Sequence, residues 1–340
     1  MNREALVDTI LGDRTREIGG AGTAFAPANI ALCKYWGKRN EELNLPVTSS
    51  LSVSLGSLGT HTTVEPAGQD AILFNGDVLP TNHPIAERLL KYIRLLCGGS
   101  TSGVSVETRN SIPTGAGLAS SASGFAALVK ALDQACGWNL AGRELTILAR
   151  LGSGSATRSI YPGFVEWHRG SRDDGMDCYA EALDDQWPDL RLGVLTISAE
   201  QKRIGSTAGM KQTTTASPLY QAWPGKVAED LPRLRTAIEQ QDFQQLGETA
   251  ESNALSMHAT MIAAQPPVLY WLPESVGWMH RIWDARREGL PVYFTMDAGP
   301  NLKLLFLKED ESMVMRFAPD LTVVDLWEQT SCSRQGRPKT

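Results

Sequence analysis

The chain has 340 residues, enough for one large or two ordinary domains with real cores. Apolar residues make up 42% and charged residues 21%, an ordinary soluble-globular balance, and the formal net charge of −6 argues against broad nucleic-acid or membrane-surface binding without excluding a local basic pocket. Cys33, Cys97, Cys136, Cys178 and Cys332 are scattered with no CxxC pair, which excludes a disulfide frame or cysteine zinc site and suits a reducing, cytoplasmic setting; there is no run of 18 apolar residues and no signal-like apolar start.

Residues 1–20 carry mixed charge and a modest Leu/Ile pattern, a short helix or a frayed arm. From Thr23 the chain turns apolar, yet Asn29, Lys34, Tyr35 and Lys38 fall within ten residues of it. In a helix Lys34 and Lys38 would share a face, and like charges so placed cost stability unless an anion sits between them. A solvated basic turn is the plainer alternative. Leu51, Val53 and Leu55 alternate with serines, which predicts a half-buried strand. Residues 61–65 and 71–78 read as further strands, with Asn75-Gly76 a type I′ hairpin turn. Residues 84–97 read as an amphipathic helix.

Val104 and Val106 alternate with polar residues as in a strand, and Phe125, Leu128, Val129 and Leu132 follow the i, i+3, i+4, i+7 stripe of a helix. Between them stand Pro113, Gly115, Ala116, Gly117, Leu118, Ala119, Ser120 and Ser121. A glycine-rich loop at a helix start offers unpaired N–H groups and the positive dipole end to an anion, so the stretch reads as a phosphate cradle. It is not a Walker loop, which needs Gly-Lys-Ser/Thr, and Ser120 stands where the dinucleotide fingerprint wants Gly or Ala. A tight turn capping a core helix is the alternative.

A helix over 141–151 leads into Gly152-Ser-Gly-Ser-Ala-Thr-Arg-Ser159, a second loop rich in oxygen ligands. Arg158 carries a planar fork suited to a carboxylate or phosphate, unless it is simply a surface arginine at a helix end. Residues 191–198 read as a strand near a domain boundary, and 202–215 as a polar loop with three cations. Helical patterns follow over 228–262 and 274–287. Two apolar strand-like runs then flank Asp297-Ala-Gly-Pro-Asn301, where an Asx-turn would also account for the aspartate. The five histidines show no metal-ligand spacing and read as structural, and residues 331–340 form a polar tail.

Taken in order, Ala28-Asn-Ile-Ala-Leu-Cys-Lys-Tyr-Trp-Gly-Lys38, Pro113-Thr-Gly-Ala-Gly-Leu-Ala-Ser-Ser121, Gly152–Ser159, Met257-His-Ala-Thr260 and Asp297–Asn301 resemble the mevalonate diphosphate decarboxylase family of the GHMP superfamily. The resemblance covers about residues 23–306 and implies a two-domain α+β fold. Residues 1–198 would form a domain like ribosomal protein S5 domain 2, and residues 199–330 a ferredoxin-like domain, with the site in the cleft. It implies ATP with Mg²⁺, and conversion of mevalonate 5-diphosphate to isopentenyl diphosphate through transient phosphorylation of a tertiary hydroxyl. No nucleic acid or membrane partner is expected, and the expected assembly is a cytoplasmic homodimer.

By the same resemblance Asp297 would orient or deprotonate the hydroxyl. Arg158 would hold the substrate carboxylate and fix Asp297, with Asn29 helping. Lys34, Tyr35 and Lys38 would meet phosphate groups, with Ala28, Ser153, Ser155 and Met210 completing the substrate cup. Residues 113–121 would hold the nucleotide phosphates, and Ser121 the Mg²⁺. The sequence departs from the family pattern at Thr157, where many members have Cys, at Pro162, where many have Gly, and at 205–210, where no Arg precedes Gly209-Met210. A phosphomevalonate decarboxylase, a mevalonate 3-kinase and a non-catalytic GHMP-fold sensor are the rival readings. A sensor would be expected to have lost one of Asp297, Arg158, Lys34 or Ser121.

Overall fold

The computed structural model describes residues 1–98, 103–111, 120–200 and 202–327, with Ser120 described by its backbone alone. The first domain is organised on one long strand, Ser50–Pro66. One edge of it pairs antiparallel with Gly22–Cys33 along nearly its whole length. The other edge pairs with Phe164–Trp167 over residues 50–53 and with Val104–Asn110 over residues 60–66. Ala71–Phe74, Asp77–Leu79 and Ala180–Ala182 complete a seven-stranded sheet. Asn75 and Gly76 both take positive φ, 53° and 95°, as the predicted type I′ turn requires.

The strand over 51–55 is not half-buried. Ser50, Ser52 and Ser54 are as hidden as Leu51, Val53 and Leu55, because both faces of the sheet are covered here. Two of the serines have polar partners inside: Ser50 Oγ accepts from Arg158 at 2.7 Å, and Ser54 Oγ from the Gly163 N–H at 2.8 Å. Helix Ser120–Cys136 lies against Gly22–Cys33 and the long strand, its predicted stripe Phe125, Leu128, Val129 and Leu132 buried. Helix Arg3–Leu11 also joins this core, through Leu6, Val7, Ile10 and Leu11.

The second domain is a four-stranded antiparallel sheet in the order Tyr293–Met296, Leu302–Leu307, Leu190–Leu195, Thr322–Asp325. Helices Trp223–Gln240, Phe243–Ile262 and Pro273–Arg287 belong to it. Leu190–Leu195 therefore pairs inside the second sheet, so the change of sheet precedes residue 190 instead of following 198. The polar segment after it is not all loop: Ser206–Ala216 is a helix that buries only Gly209, Met210 and Thr213, too few to print an apolar stripe. Together the domains give the mixed α+β architecture expected from the sequence.

Candidate active site

Two strand ends from different sheets meet at the site. Gly22–Cys33 delivers Asn29 and, just past its end, Lys34; Tyr293–Met296 delivers Asp297. Register shifts at Pro27/Asn29 and Ala31/Cys33 break the pairing here, and such irregularities re-aim side chains. Lys34 Nζ donates to Asp297 Oδ1 at 2.8 Å and to the Ala31 carbonyl at 2.7 Å. Lys34 is 1% exposed, whereas the Asp297 side chain keeps 34% of its surface open to the cleft.

Charge decides the state of Asp297. Burial pushes its carboxyl upward, but Lys34, Lys303 and Arg158 outweigh that and hold it at about 2. Burial drives Lys34 below the ordinary lysine value, with the charge and hydrogen bond of Asp297 pulling the other way. The 2.8 Å contact is that of a charged pair. Lys303, in the strand Leu302–Leu307, is 2% exposed, and burial brings it to about 8.

Arg158 is 3% exposed, no surface arginine. It lies in the short 3₁₀ turn Gly154–Ser159. Its Nη1 donates to Ser50 Oγ at 2.7 Å and its Nε to Asn29 Oδ1 at 3.3 Å. Asn29 Nδ2 in turn donates to Ser159 Oγ at 2.8 Å, which fixes the amide's orientation. Two nitrogens of the fork are thus committed to neutral oxygens, and Arg158 lines the cleft. The direct partner of Asp297 is Lys34, not Arg158 as expected; Arg158 reaches the carboxylate only through its field.

The turn carrying Asp297 is fixed on several sides. His258 Nε2–H donates to the Asp297 carbonyl at 3.1 Å, and burial holds this imidazole neutral, down to about 3. Asn301 Oδ1 accepts from the Ile197 and Ser198 N–H groups at 2.8 and 2.9 Å. Lys202 Nζ donates to the Ala298 carbonyl at 3.0 Å and Ser206 Oγ at 2.8 Å. On the other side, Asn253 Oδ1 accepts the Lys34 N–H at 2.8 Å, and Asn253 Nδ2 donates to the buried Asp230 at 2.8 Å.

The site opens into a cleft of about 1390 Å³. Among its described lining residues nine Lys or Arg stand against four Asp or Glu, so it favours anionic ligands in spite of the acidic whole. Tyr35, Lys38, Ser121, Ser153, Ser155 and Met210 line it. Ser153 and Ser155 hydroxyls lie 3.3 Å apart. The Tyr35 hydroxyl is sealed against Gly154, where an added Cβ would stand 2.9 Å from it. Lys34 and Lys38 do not share a helical face: the chain is not helical here, and Lys38 turns to Asn44 Oδ1 at 2.7 Å. Ala28 lies in the apolar core beside Ile30 and Leu32 instead of lining the cleft. Pro113, Gly115, Ala116, Gly117, Leu118 and Ala119 lie outside the described residues, as does the side chain of Ser120.

Residues 26–180 match the family model for the diphosphomevalonate decarboxylase-like N-terminal domain, and residues 193–335 that for the mevalonate 5-diphosphate decarboxylase C-terminal domain. The chain belongs to the diphosphomevalonate decarboxylase family. The diphosphomevalonate decarboxylase of Danio rerio is 40% identical over 326 residues, 87% of this chain and 80% of that protein. The mevalonate diphosphate decarboxylase of Staphylococcus aureus superposes with a TM-score of 0.84 at 38% identity, over 90% of this chain and 95% of that one. A solved complex of MDDEF with MVAPP, AMPPCP and magnesium gives 0.83 at 40% identity, over 90% and 96%.

Proposed function

We propose that this decarboxylase family member converts mevalonate 5-diphosphate to isopentenyl diphosphate, CO₂, ADP and phosphate, using ATP and Mg²⁺. The observation that carries the reading is the ionised Asp297 in a cation-lined cleft, paired with Lys34 and flanked by the Arg158–Asn29 pair. A carboxylate β to a tertiary hydroxyl does not leave readily, because hydroxide is a poor leaving group. ATP with Mg²⁺, when bound, supplies the phosphoryl group that turns the hydroxyl into a good one.

The protein's residues do the rest. Asp297 hydrogen-bonds the tertiary hydroxyl and aims its oxygen. So acidic a carboxyl is a weak base, so it takes the proton late, as the phosphoryl bond forms. Lys34 holds Asp297 in place and keeps positive charge beside the developing phosphate. Arg158 and Asn29 grip the substrate carboxylate. When the phosphate departs from the tertiary carbon, the electron pair of the carboxylate C–C bond moves to that carbon, closing the alkene and freeing CO₂. Lys38, Ser153 and Ser155 take the diphosphate, Tyr35 supports their loop, and Met210 forms the apolar wall.

The cleft suits a nucleotide–metal pair. Its cations favour phosphate, and the half-buried Ser121 opens onto it from the first turn of helix Ser120–Cys136. Among the described residues no cluster of three His, Cys, Asp or Glu could hold a metal alone. Mg²⁺ would therefore take most of its ligands from phosphate and water, with the Ser121 hydroxyl added. Residues 113–121 would hold the nucleotide phosphates.

We also assign the domain division to the stretch between Ala182 and Leu190, because the two sheets separate there. The enzyme acts in isoprenoid, and so lipid, biosynthesis in the cytoplasm. The buried free thiols Cys33, Cys97, Cys136 and Cys178 support a reducing compartment, and no described helix is long and apolar enough to cross a membrane. The proposed assembly is a homodimer, which light scattering checks. The function is tested by incubating the protein with ATP-Mg²⁺ and mevalonate bearing no, one or two phosphates. Release of CO₂ should be fastest by far with two. A preference for the monophosphate would make the enzyme a phosphomevalonate decarboxylase.

A further inference from the structure

We propose that Arg3, on the amino-terminal helix, is a specificity residue for the terminal phosphate of the substrate's diphosphate. The inference rests on the reading of the Lys38 end of the cleft as the diphosphate end. It goes beyond that reading by bringing in a segment outside residues 26–180, which carry the first family match.

The segment is rigidly held. Asn2 Oδ1 caps the helix by accepting the Ala5 N–H at 2.9 Å, and Leu6, Val7, Ile10 and Leu11 are buried in the first domain's core. The chain after the helix is bound on: Arg14 Nε donates to the Trp138 carbonyl at 3.0 Å, and Trp138 Nε1 to the Thr15 carbonyl at 2.7 Å. Arg3 is therefore presented on a fixed element. Its Nε donates to the Glu42 carbonyl at 2.6 Å, which orients the fork, and the residue lines the same cleft as Lys38 and Arg88.

The three cations have only neutral partners. Lys38 Nζ donates to Asn44 Oδ1 at 2.7 Å, and Arg88 Nη2 to the Gly152 carbonyl at 2.9 Å. Among the described residues no carboxylate lies within 4.0 Å of a charged nitrogen of Arg3, Lys38 or Arg88; the nearby Glu41 pairs instead with Lys211, at 3.5 Å. The charges feel one another: burial lowers Lys38, Glu41 opposes this, and Arg3 and Arg88 lower it further. Gathering three like charges on neutral partners costs stability, and a multiply charged anion removes that cost.

The part of the cleft lining drawn from residues 205–210 offers little help. Gly205-Ser-Thr-Ala-Gly-Met210 has no cation, and Lys202 is committed to Ala298 and Ser206 beside Asp297. A terminal phosphate is a doubly charged, multidentate acceptor, the group an arginine fork matches. A monophosphate ends one phosphate short and forgoes the contact.

Steady-state kinetics of Arg3→Ala and Arg3→Lys on the full-length protein, after circular dichroism and melting confirm folding, test the proposal. Loss of one charge-assisted contact should raise KM for mevalonate 5-diphosphate about tenfold in Arg3→Ala. KM for ATP should hold, and the preference in kcat/KM for diphosphate over monophosphate should shrink by about the same factor. Arg3→Lys should recover part of it. Unchanged KM and preference in the folded variant overturn the proposal. So does a rise in KM for ATP, which would give Arg3 to the nucleotide, and so does an equal fall with both substrates. If the unaltered enzyme itself releases no CO₂ from mevalonate 5-diphosphate, it is the functional reading that fails, and the two failures are distinct.

Discussion

Lys34 Nζ lies 2.8 Å from Asp297 Oδ1, across the junction of the two sheets. One partner follows a strand of the first domain and the other a strand of the second. The ion pair therefore does two things: it ties the domains at the cleft, and it helps keep Asp297, the residue proposed to meet the hydroxyl, ionised.

Replacing Asp297 by Asn keeps the shape and removes the charge. Turnover should fall by about 10²-fold or more, with KM for mevalonate 5-diphosphate little changed. Steady-state assays of the folded variant decide it, and near-normal turnover removes Asp297 from its role.

Lys34→Ala leaves Asp297 and the Ala31 carbonyl without their direct partner. A fully buried pair would cost more, but Asp297 faces the cleft, so the expected loss is about 1–3 kcal/mol, read from denaturant unfolding. Adding Asp297→Asn should recover part of that loss, because the stranded charge goes with it. Strict additivity would mean that the two residues are not coupled.

Arg158→Lys keeps a positive charge but cannot reach Ser50, Asn29 and a substrate carboxylate together. Turnover should drop substantially even though the net charge is unchanged. If lysine serves as well, the carboxylate is held elsewhere.

The acid side of the pH profile follows from the Asp297 carboxyl, held at about 2 against an ordinary 3.8. Its folded value is depressed, so its contribution to stability is complete above 3.8 and is lost as pH falls toward 2. Asp297→Asn should flatten that acid limb of a stability–pH curve. On the alkaline side Lys303 loses its proton near 8, removing positive charge from beside Asp297. In the free enzyme kcat/KM should decline as pH rises through that value, and Lys303→Met should abolish that step. A profile flat to pH 10 in the unaltered enzyme would remove Lys303 from the site's electrostatics.

The parts of the site that the sequence revealed are those where an unusual residue interrupts a regular pattern. Asp297 ends an apolar strand and Arg158 stands among small residues, and the fold brings both to the lining of one cleft. The partnership of Lys34 was hidden, because 263 positions separate it from Asp297 and only the folded sheets bring them together. Lys303 is masked by its setting in Leu-Lys-Leu-Leu-Phe-Leu, although a lysine in so apolar a strand is itself a signal of a buried charge with a purpose. Asn253 and Asp230 sit within long helical patterns; only their burial separates them from the solvated polar residues around them. The serines of Ser50–Pro66 misled in the opposite sense, since alternation implies a wet face only when nothing covers it. The sequence of helix Ser206–Ala216 reads as loop because its threonines and glycine argue against helix and its contact face is narrow.

In the proposed reaction, phosphorylation and decarboxylation occur on one molecule in one cleft. Mass spectrometry of a single reaction, with mevalonate 5-diphosphate and limiting ATP-Mg²⁺, counts ADP, CO₂ and every phosphorylated product together. If Arg158 and Asn29 hold the carboxylate next to the carbon that loses phosphate, as proposed, one CO₂ should appear for each ADP, with no accumulating 3-phosphate. ADP formed alongside a stable 3-phosphate and no CO₂ would rule out decarboxylation in the cleft and make the protein a kinase.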